Sequence, residues 1–370
     1  MVEALKKMDK KFLVFAGCII LLPILIIIFL AIMQGCSSRG VSHEKYEDKM
    51  VSAAEKYFKE SDSLPDSEFE IKTVKLSKLV DKGYIKSTEK LLNDDTCSGE
   101  VSVRKNGSTY ESNNGGFFNY IPSLECDEYK TNSLKNLLNE YLTESGPGLY
   151  KTSDGYVFKG DSVRNYLKFY GTNFRILSVD NNGIVKIMKE ESESSNLYWD
   201  TKYNTETSES SGKNIYSDSN ILKKLNEYYE SKIKSEDQKS KMVANSVCIG
   251  KRDIKDYDLD SAKDCSEIIN YQPISLINIT DFARASLDAE CVSLNSRSCR
   301  NYNYLHYLNF SSWTLNGVSN NTYDVYYLEN GDLYYQEANR YEFYNLVFYI
   351  DSNEIVKSGK GSKDKPYVIE

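Results

Sequence analysis

A histidine base has only two positions from which to act in this chain of 370 residues, His43 and His306. Acyl-transfer chemistry needs a nucleophile, a mobile base and an acid that orients the base. His43 falls close behind an apolar N-terminal run, and His306 lies in "NYNYLHYLNF", an aromatic, strand-like stretch that packs a ring or shows it to solvent. Carboxylates are so abundant, 54 Asp and Glu, that no pair is singled out for glycoside hydrolysis. A mixed Cys/His zinc site is hard to assemble from two histidines and external cysteines that lack C-x-x-C spacing. The sequence therefore predicts no enzyme, no metal and no cofactor.

The cysteines point to structure instead. Six of the eight lie well beyond the apolar run and its flanking Cys36 and fall into local pairs, Cys97 with Cys126, Cys248 with Cys265, and Cys291 with Cys299. Spacing alone leaves the pairing open, but each pair flanks one plausible loop, so sequential disulfides are expected. Disulfides persist in oxidising compartments, which argues for an extracellular location.

Thirty tyrosines supply a second kind of chemistry, recognition by stacking. Tyr302, Tyr304, Trp313, Tyr326 and Tyr334 are the candidate ligand-binding residues, with Tyr307, Tyr327 and Tyr335 in the same runs. Against that stands strand alternation, which turns half of each run into the core. "DNNG", Asp180 to Gly183, is rich in oxygen but lacks the spaced carboxylates of a calcium loop and reads as a turn. The N-x-S/T triplets at Asn106, Asn278, Asn309 and Asn320 are expected by chance in so asparagine-rich a chain.

The elements that hold these residues begin with a membrane anchor. Phe12 to Met33 is 22 residues without a charge, and a helix of that length crosses roughly 30 Å of hydrocarbon. A secretory signal has a shorter apolar core and small residues at its cut site. Gly35-Cys36 suggests a lipoprotein leader, but Met33 and Gln34 are poor residues before such a cysteine. Lys6, Lys7, Lys10 and Lys11 precede the span and Arg39 stands alone after it, so residues 1–11 form a cytoplasmic tail, 12–34 a single transmembrane helix, and the rest lies outside. Setting aside those four lysines with Glu3 and Asp9 leaves 42 basic and 52 acidic side chains, a net charge of −10. Such a surface repels phosphate backbones, and nucleic-acid partners are excluded.

Beyond the span the class is α+β in two domains. A stalk domain over residues 35–146 opens with "HEKYEDKMVSAAEKYFKE", which puts Tyr46, Met50, Ala53, Ala54 and Tyr57 on one helical face. "VKLSKLVDKGYI" reads as a second helix with Leu76, Leu79 and Val80 inward and Gly83 as its stop. "EVSVRKNGSTYE" alternates as a hairpin turning at Asn106-Gly107, followed by the strand "YIPSLEC". A Cys97–Cys126 bridge would tie this small sheet with about 3–4 kcal/mol in the chain-entropy model. A short helical run through Leu134, Leu137, Leu138 and Tyr141 leads to a boundary near Gly146. The second domain, 147–370, opens with two strands around Asp180–Gly183, then an exposed Ser-rich loop "KYNTETSESSGKN" and a helix capped by Ser219. "PISLINITDFARAS" is a strand entering a helix capped by Thr280 or Asp281, and the end is strand-like, with a turn at Asn330-Gly331 and the run "YNLVFYID".

The order of these segments resembles a recurring module of bacterial surface proteins related to the C-type-lectin-like fold. The matching stretches are Gly171 to Val179, Leu222 to Tyr229, Ile274 to Ser286, Trp313 to Leu315, Asn330-Gly331, and Val347 through "SGKGSKDKPYVI", together covering about residues 149–370. Where the module has Arg-Pro before its last strand this chain has "YNLVFYI", so no role of that arginine carries over. Residues 44–130 look like the small Cys-flanked helix and hairpin unit that accompanies such modules. The plan is also similar to a pilin, but no "G-F-T-L-x-E" processing motif precedes the span. The resemblance implies a lectin-like surface domain behind a disulfide-tied stalk. The expected function is adhesion or ligand binding, to a glycan or protein, from a single-pass anchor in the plasma membrane through Phe12–Met33, without catalysis. The competing expectations are a pilin-like assembly subunit and an extracellular enzyme.

Overall fold

The computed structural model describes residues 40–67, 70–106, 117–193, 197–253, 255–256, 259–294, 296–306 and 311–370. They form an α+β molecule of several antiparallel sheets with few helices. The expected span Phe12–Met33, the cytoplasmic tail and Cys36 lie outside the described residues. Among the described residues no helix is long and apolar enough to cross a membrane.

The first lobe is one helix laid on a three-stranded sheet. Helix α1 (His43–Glu60) starts where the Ser42 hydroxyl accepts a hydrogen bond from the Lys45 amide, leaving one orphan donor fewer at the N-terminus. Its buried face is Tyr46, Met50, Ala53, Ala54 and Phe58, with the expected Tyr57 only partly covered. The sheet runs β1 (Ile71–Lys75), β2 (Ser98–Asn106), β3 (Phe117–Glu125), all antiparallel. The expected second helix is shorter than its pattern, because Val74 and Lys75 pair with Val101 and Glu100 on β2 and only α2 (Leu76–Asp81) remains helical. A further short helix, α3 (Thr88–Leu92), was not anticipated. The tight Asn106-Gly107 hairpin is also corrected: Asn106 stays in strand opposite Phe117, so the described partners of β2 are β1 and β3.

The second lobe carries a much larger core. Its main sheet is ordered β12 (Ile274–Ser275), β17 (Val347–Asp351), β8 (Ile184–Lys189), β7 (Thr172–Asp180), β5 (Gly155–Lys159), β4 (Gly148–Thr152). Off this path β6 (Tyr166–Phe169) pairs with β7, and β18 (Tyr367–Ile369) lies parallel to β6. The stretch expected as one strand before Asp180 is two, β6 and β7, because Tyr170 (φ 45°) and Gly171 (φ 78°) turn the chain through the left-handed region between them. Arg175 on β7 is buried, its guanidinium 3.7 Å over Tyr166 and 4.9 Å over Tyr304, with Nε donating to Asn165 Oδ1 at 2.8 Å. A second sheet joins β13 (Ser311–Gly317), β14 (Asp324–Glu329) and β15 (Asp332–Glu337), the last two closing at Asn330 (φ 50°) and Gly331 (φ 80°) as the sequence predicts.

Helix α5 (Asn220–Lys232) begins at Ser219, whose hydroxyl accepts from the Leu222 amide at 3.2 Å. For α7 (Ile279–Arg284) the cap is Asn278 and not Thr280 or Asp281; Asp281 instead reaches back to the Asn278 amide as the third residue of a capping box. The Ser-rich stretch is exposed over most of residues 203–210, as expected, and is anchored at its ends where buried Asn204 and Asn214 donate to the Thr322 and Val318 carbonyls. Core membership changes between Cys126 and Leu134: α4 (Leu134–Asn139) packs Leu134 and Leu138 into the large core, ahead of the boundary expected at Gly146.

The lobes meet through buried polar groups. Arg104 Nε on β2 is 2.9 Å from Asp351 Oδ2 on β17, the side chains being 5% and 3% exposed. Asn119 donates to Glu354, Lys241 Nζ lies 3.1 Å from the same carboxylate, and Asn106 donates to the Ser240 carbonyl at 2.7 Å. Burial pushes the Glu354 carboxyl up, opposed by the Lys241 charge.

Candidate functional site: a polar cleft in the second lobe

All three expected disulfides form: Cys97–Cys126, Cys248–Cys265 and Cys291–Cys299. The aromatic candidates divide. Tyr304, Trp313 and Tyr326 are buried core residues and present no ring face to a ligand. Tyr302 and Tyr334 are 60% and 44% exposed, and Tyr334 stacks on its cross-strand neighbour Tyr327 at 5.7 Å between ring centres. Alternation separates only Tyr326 from Tyr327 on β14; Tyr302 and Tyr304 lie in turns, β13 is covered on both faces around Trp313, and on the edge strand β15 the neighbours Tyr334 and Tyr335 are both exposed. Tyr307 lies outside the described residues. His306 packs against the Gly331 turn, where a side chain at residue 331 would collide with its ring.

Converging polar groups lie elsewhere, in a cleft of about 540 Å³ that the aromatic pattern does not reveal. One wall is the β7–β8 hairpin, closed because Asp180 Oδ1 accepts from the amides of Asn182 and Ile184 at 2.9 and 2.8 Å. Facing it are β10 (Asn245–Cys248) and a 3-10 turn over Ser261–Ser266, pinned together by the Cys248–Cys265 bridge. The N-terminus of α7 supplies Asn278, Thr280 and Asp281, and the β4–β5 turn brings Asp154 to the rim.

Each charged group is fixed by a partner. Lys186 Nζ on the floor is 2.5 Å from Asp281 Oδ2 and 3.2 Å from Asn278 Oδ1. Burial, the largest single influence, pulls the Lys186 ammonium down, but the charge and hydrogen bond of Asp281 together with Tyr349 and Asp264 outweigh it and the group is held above the usual lysine value. Buried Asp264 accepts from Arg252 Nη1 at 2.8 Å, from Asn316 Nδ2 at 3.3 Å and from the Thr280 hydroxyl. Burial raises its carboxyl, with Thr280 and Arg252 opposing. At the rim Arg284 grips Asp154 with two nitrogens at 2.7 and 2.8 Å, and Ser261 donates to the same carboxylate at 2.6 Å. The Arg284 hydrogen bonds, before that of Ser261, hold Asp154 well below the usual carboxylate range.

The lining contains five carboxylates, Asp154, Asp180, Asp260, Asp264 and Asp281, against two cations, Lys186 and Arg284. The field inside therefore disfavours anions. Among the described residues no three of these carboxylates approach closely enough to hold a metal. Among the described residues the converging metal-type group is His43 with Asp94, Cys97 and Cys126, in the first lobe. The separation of His43 from Cys97 in the sequence gives no local trace of this grouping, which forms because α1 begins beside the bridge.

Sequence reasoning missed Lys186, Asp281, Asp154, Arg284 and Asp264 as a site. Asp180 and Asp281 were legible only as a turn and a helix cap, and Asp154 meets Arg284 across 130 residues, which leaves no local trace. Compared with known protein families, with curated proteins and with solved structures, the chain matches none.

Proposed function

We propose that this is a membrane-anchored cell-surface protein whose second lobe, lectin-like in plan, binds a neutral, hydroxyl-rich ligand such as a surface glycan in the polar cleft. The carrying observation is the cleft itself, where carboxylates, amides and hydroxyls are held in fixed positions around about 540 Å³. Fixed carboxylate and amide groups offer acceptors and donors to neighbouring hydroxyls without first being ordered, which lowers the entropic cost of binding. The excess of carboxylates argues against phosphate or sulfate esters. Anchorage through Phe12–Met33 and the lysines before it supports a location outside the plasma membrane, with the first lobe as a stalk.

The test is a binding panel of neutral, acidic and cationic oligosaccharides, applied to the full-length protein in detergent. Neutral members should bind, and the exposed or half-exposed rim variants Asn182→Ala and Asn245→Ala should each weaken binding by about tenfold, the loss of roughly one hydrogen bond. Binding only to anionic members, or full binding by both variants, would remove the cleft as the ligand site.

A further inference from the structure

The base of the first lobe holds a combination of side chains that the ligand-binding reading does not use. His43 Nε2, Asp94, Cys97 and Cys126 place one ligand atom each within 4.8 Å of one another. In the structure the two sulfurs are bonded to each other. We propose that this cluster is a redox-gated zinc site, a disulfide when oxidised and a two-sulfur, one-nitrogen, one-oxygen zinc centre when the bridge is reduced.

The geometry supports this at two levels. A tetrahedral zinc ion with bonds of about 2.0–2.3 Å holds its donors about 3.3–3.8 Å apart. The existing cluster needs only a small contraction together with separation of the two sulfurs. Thiolate, imidazole and carboxylate together suit a borderline-soft ion that prefers four ligands. The groups are also oriented from behind. Asp94 Oδ1 accepts from the Thr96 amide at 2.9 Å and its hydroxyl at 2.6 Å, which leaves Oδ2 facing His43 Nε2 across 3.9 Å, beyond hydrogen-bond range. The imidazole is stacked on Tyr129 at 4.2 Å and 12°. It begins α1, whose Ser42 cap fixes the backbone there. Supports of this kind preset ligand orientation in metal sites.

A dithiol reductant gives two electrons and two protons to the Cys97–Cys126 bond and itself closes to a disulfide, leaving two thiols. Zinc then replaces the two thiol protons, which leave to solvent, while neutral His43 and ionised Asp94 bind without releasing any. A site of this type would report the redox state of its surroundings at the point where the lobe meets the preceding apolar segment.

The test uses the full-length protein in detergent, reduced with a dithiol, desalted without oxygen and titrated with Co²⁺ as a spectroscopic probe. The reduced protein should show thiolate-to-cobalt absorption with tetrahedral visible bands at one Co²⁺ per chain, bleached by Zn²⁺, and the oxidised protein should not. His43→Ala, which leaves the bridge intact, should weaken Co²⁺ binding by roughly tenfold or more. No such absorption after reduction, or equal affinity in His43→Ala, would overturn the proposal. If reduction opens the lobe to protease, Zn²⁺ should restore resistance in the unmodified chain and not in His43→Ala; failure to restore it would overturn the proposal equally.

Discussion

The two lobes are stabilised in different proportions by the same means. In the first lobe a single helix face, from Tyr46 to Phe58, covers a three-stranded sheet, and the Cys97–Cys126 bridge closes the end where Ser98 pairs with Glu125. In the second, a core running from Leu134 to Ile369 is continuous across the main sheet, and its two bridges span only 17 and 8 residues, the shorter one buried within that core. Loop-closure entropy grows slowly with length, so the three bridges contribute comparable amounts. What differs is the fraction each represents of its lobe's own stability, since a small core leaves little margin. A disulfide is a foundation in one lobe and a local clamp in the other.

The sharpest way to break this comparison is to attack each lobe by its own support. Trp313→Ala, removing a fully buried ring whose Nε1 donates to the Leu197 carbonyl at 2.8 Å, should cost about 3–5 kcal/mol and lower the unfolding transition of the second lobe. A stability near that of the unmodified protein would return Trp313 to the list of exposed platforms. Arg104→Ala should cost about 3–5 kcal/mol because Asp351 would stay buried without its countercharge, keeping only the Asn353 hydrogen bonds, and the two lobes should then unfold at separate urea midpoints. A single unchanged transition would show that the interface does not couple them. Replacing Cys97 and Cys126 together by Ser should remove about 3–4 kcal/mol, read as protease cleavage within residues 43–126 while the second lobe stays resistant.

The smallest effect is one of pH. Burial raises the Asp180 carboxyl above its usual value, with the Ile184 and Asn182 amides opposing. A group whose folded pKa is raised contributes its full stability below the unfolded value of about 3.9 and loses it as pH rises through the folded value. Asp180→Asn keeps the turn's amide-accepting oxygen, so it should be neutral to slightly stabilising at pH 7 and should flatten that decline. Urea midpoints at pH 4 and pH 7 measure the difference, and an unchanged slope would assign the pH dependence to other groups.

Local signals carried much of the fold. The face of α1, the Ser219 cap, the Asp180–Gly183 and Asn330-Gly331 turns and the three sequential bridges are all written in neighbouring residues. Errors arose where pairing overruled local preference, as when β2 drew Val74 and Lys75 out of a helical pattern. The β4–β5 hairpin escaped notice because its turn, Ser153-Asp154, lacks the Asn-Gly signature. The site was less legible than the fold. A run of tyrosines advertises recognition, yet burial took Tyr304, Trp313 and Tyr326 for the core. Lys186, Asp281, Asp154 and Arg284 are each unremarkable in sequence and acquire meaning only where three segments meet.

The proposed entry of the ligand into the polar cleft, and not onto the exposed tyrosines of β15, can be read by hydrogen exchange of the full-length protein with and without the tightest-binding neutral oligosaccharide. Exchange should slow at Asn245–Val247 and across Ser261–Asp264, with residues 332–337 unchanged. Protection confined to 332–337 around Tyr334 would contradict it and make the stacked tyrosines the binding surface.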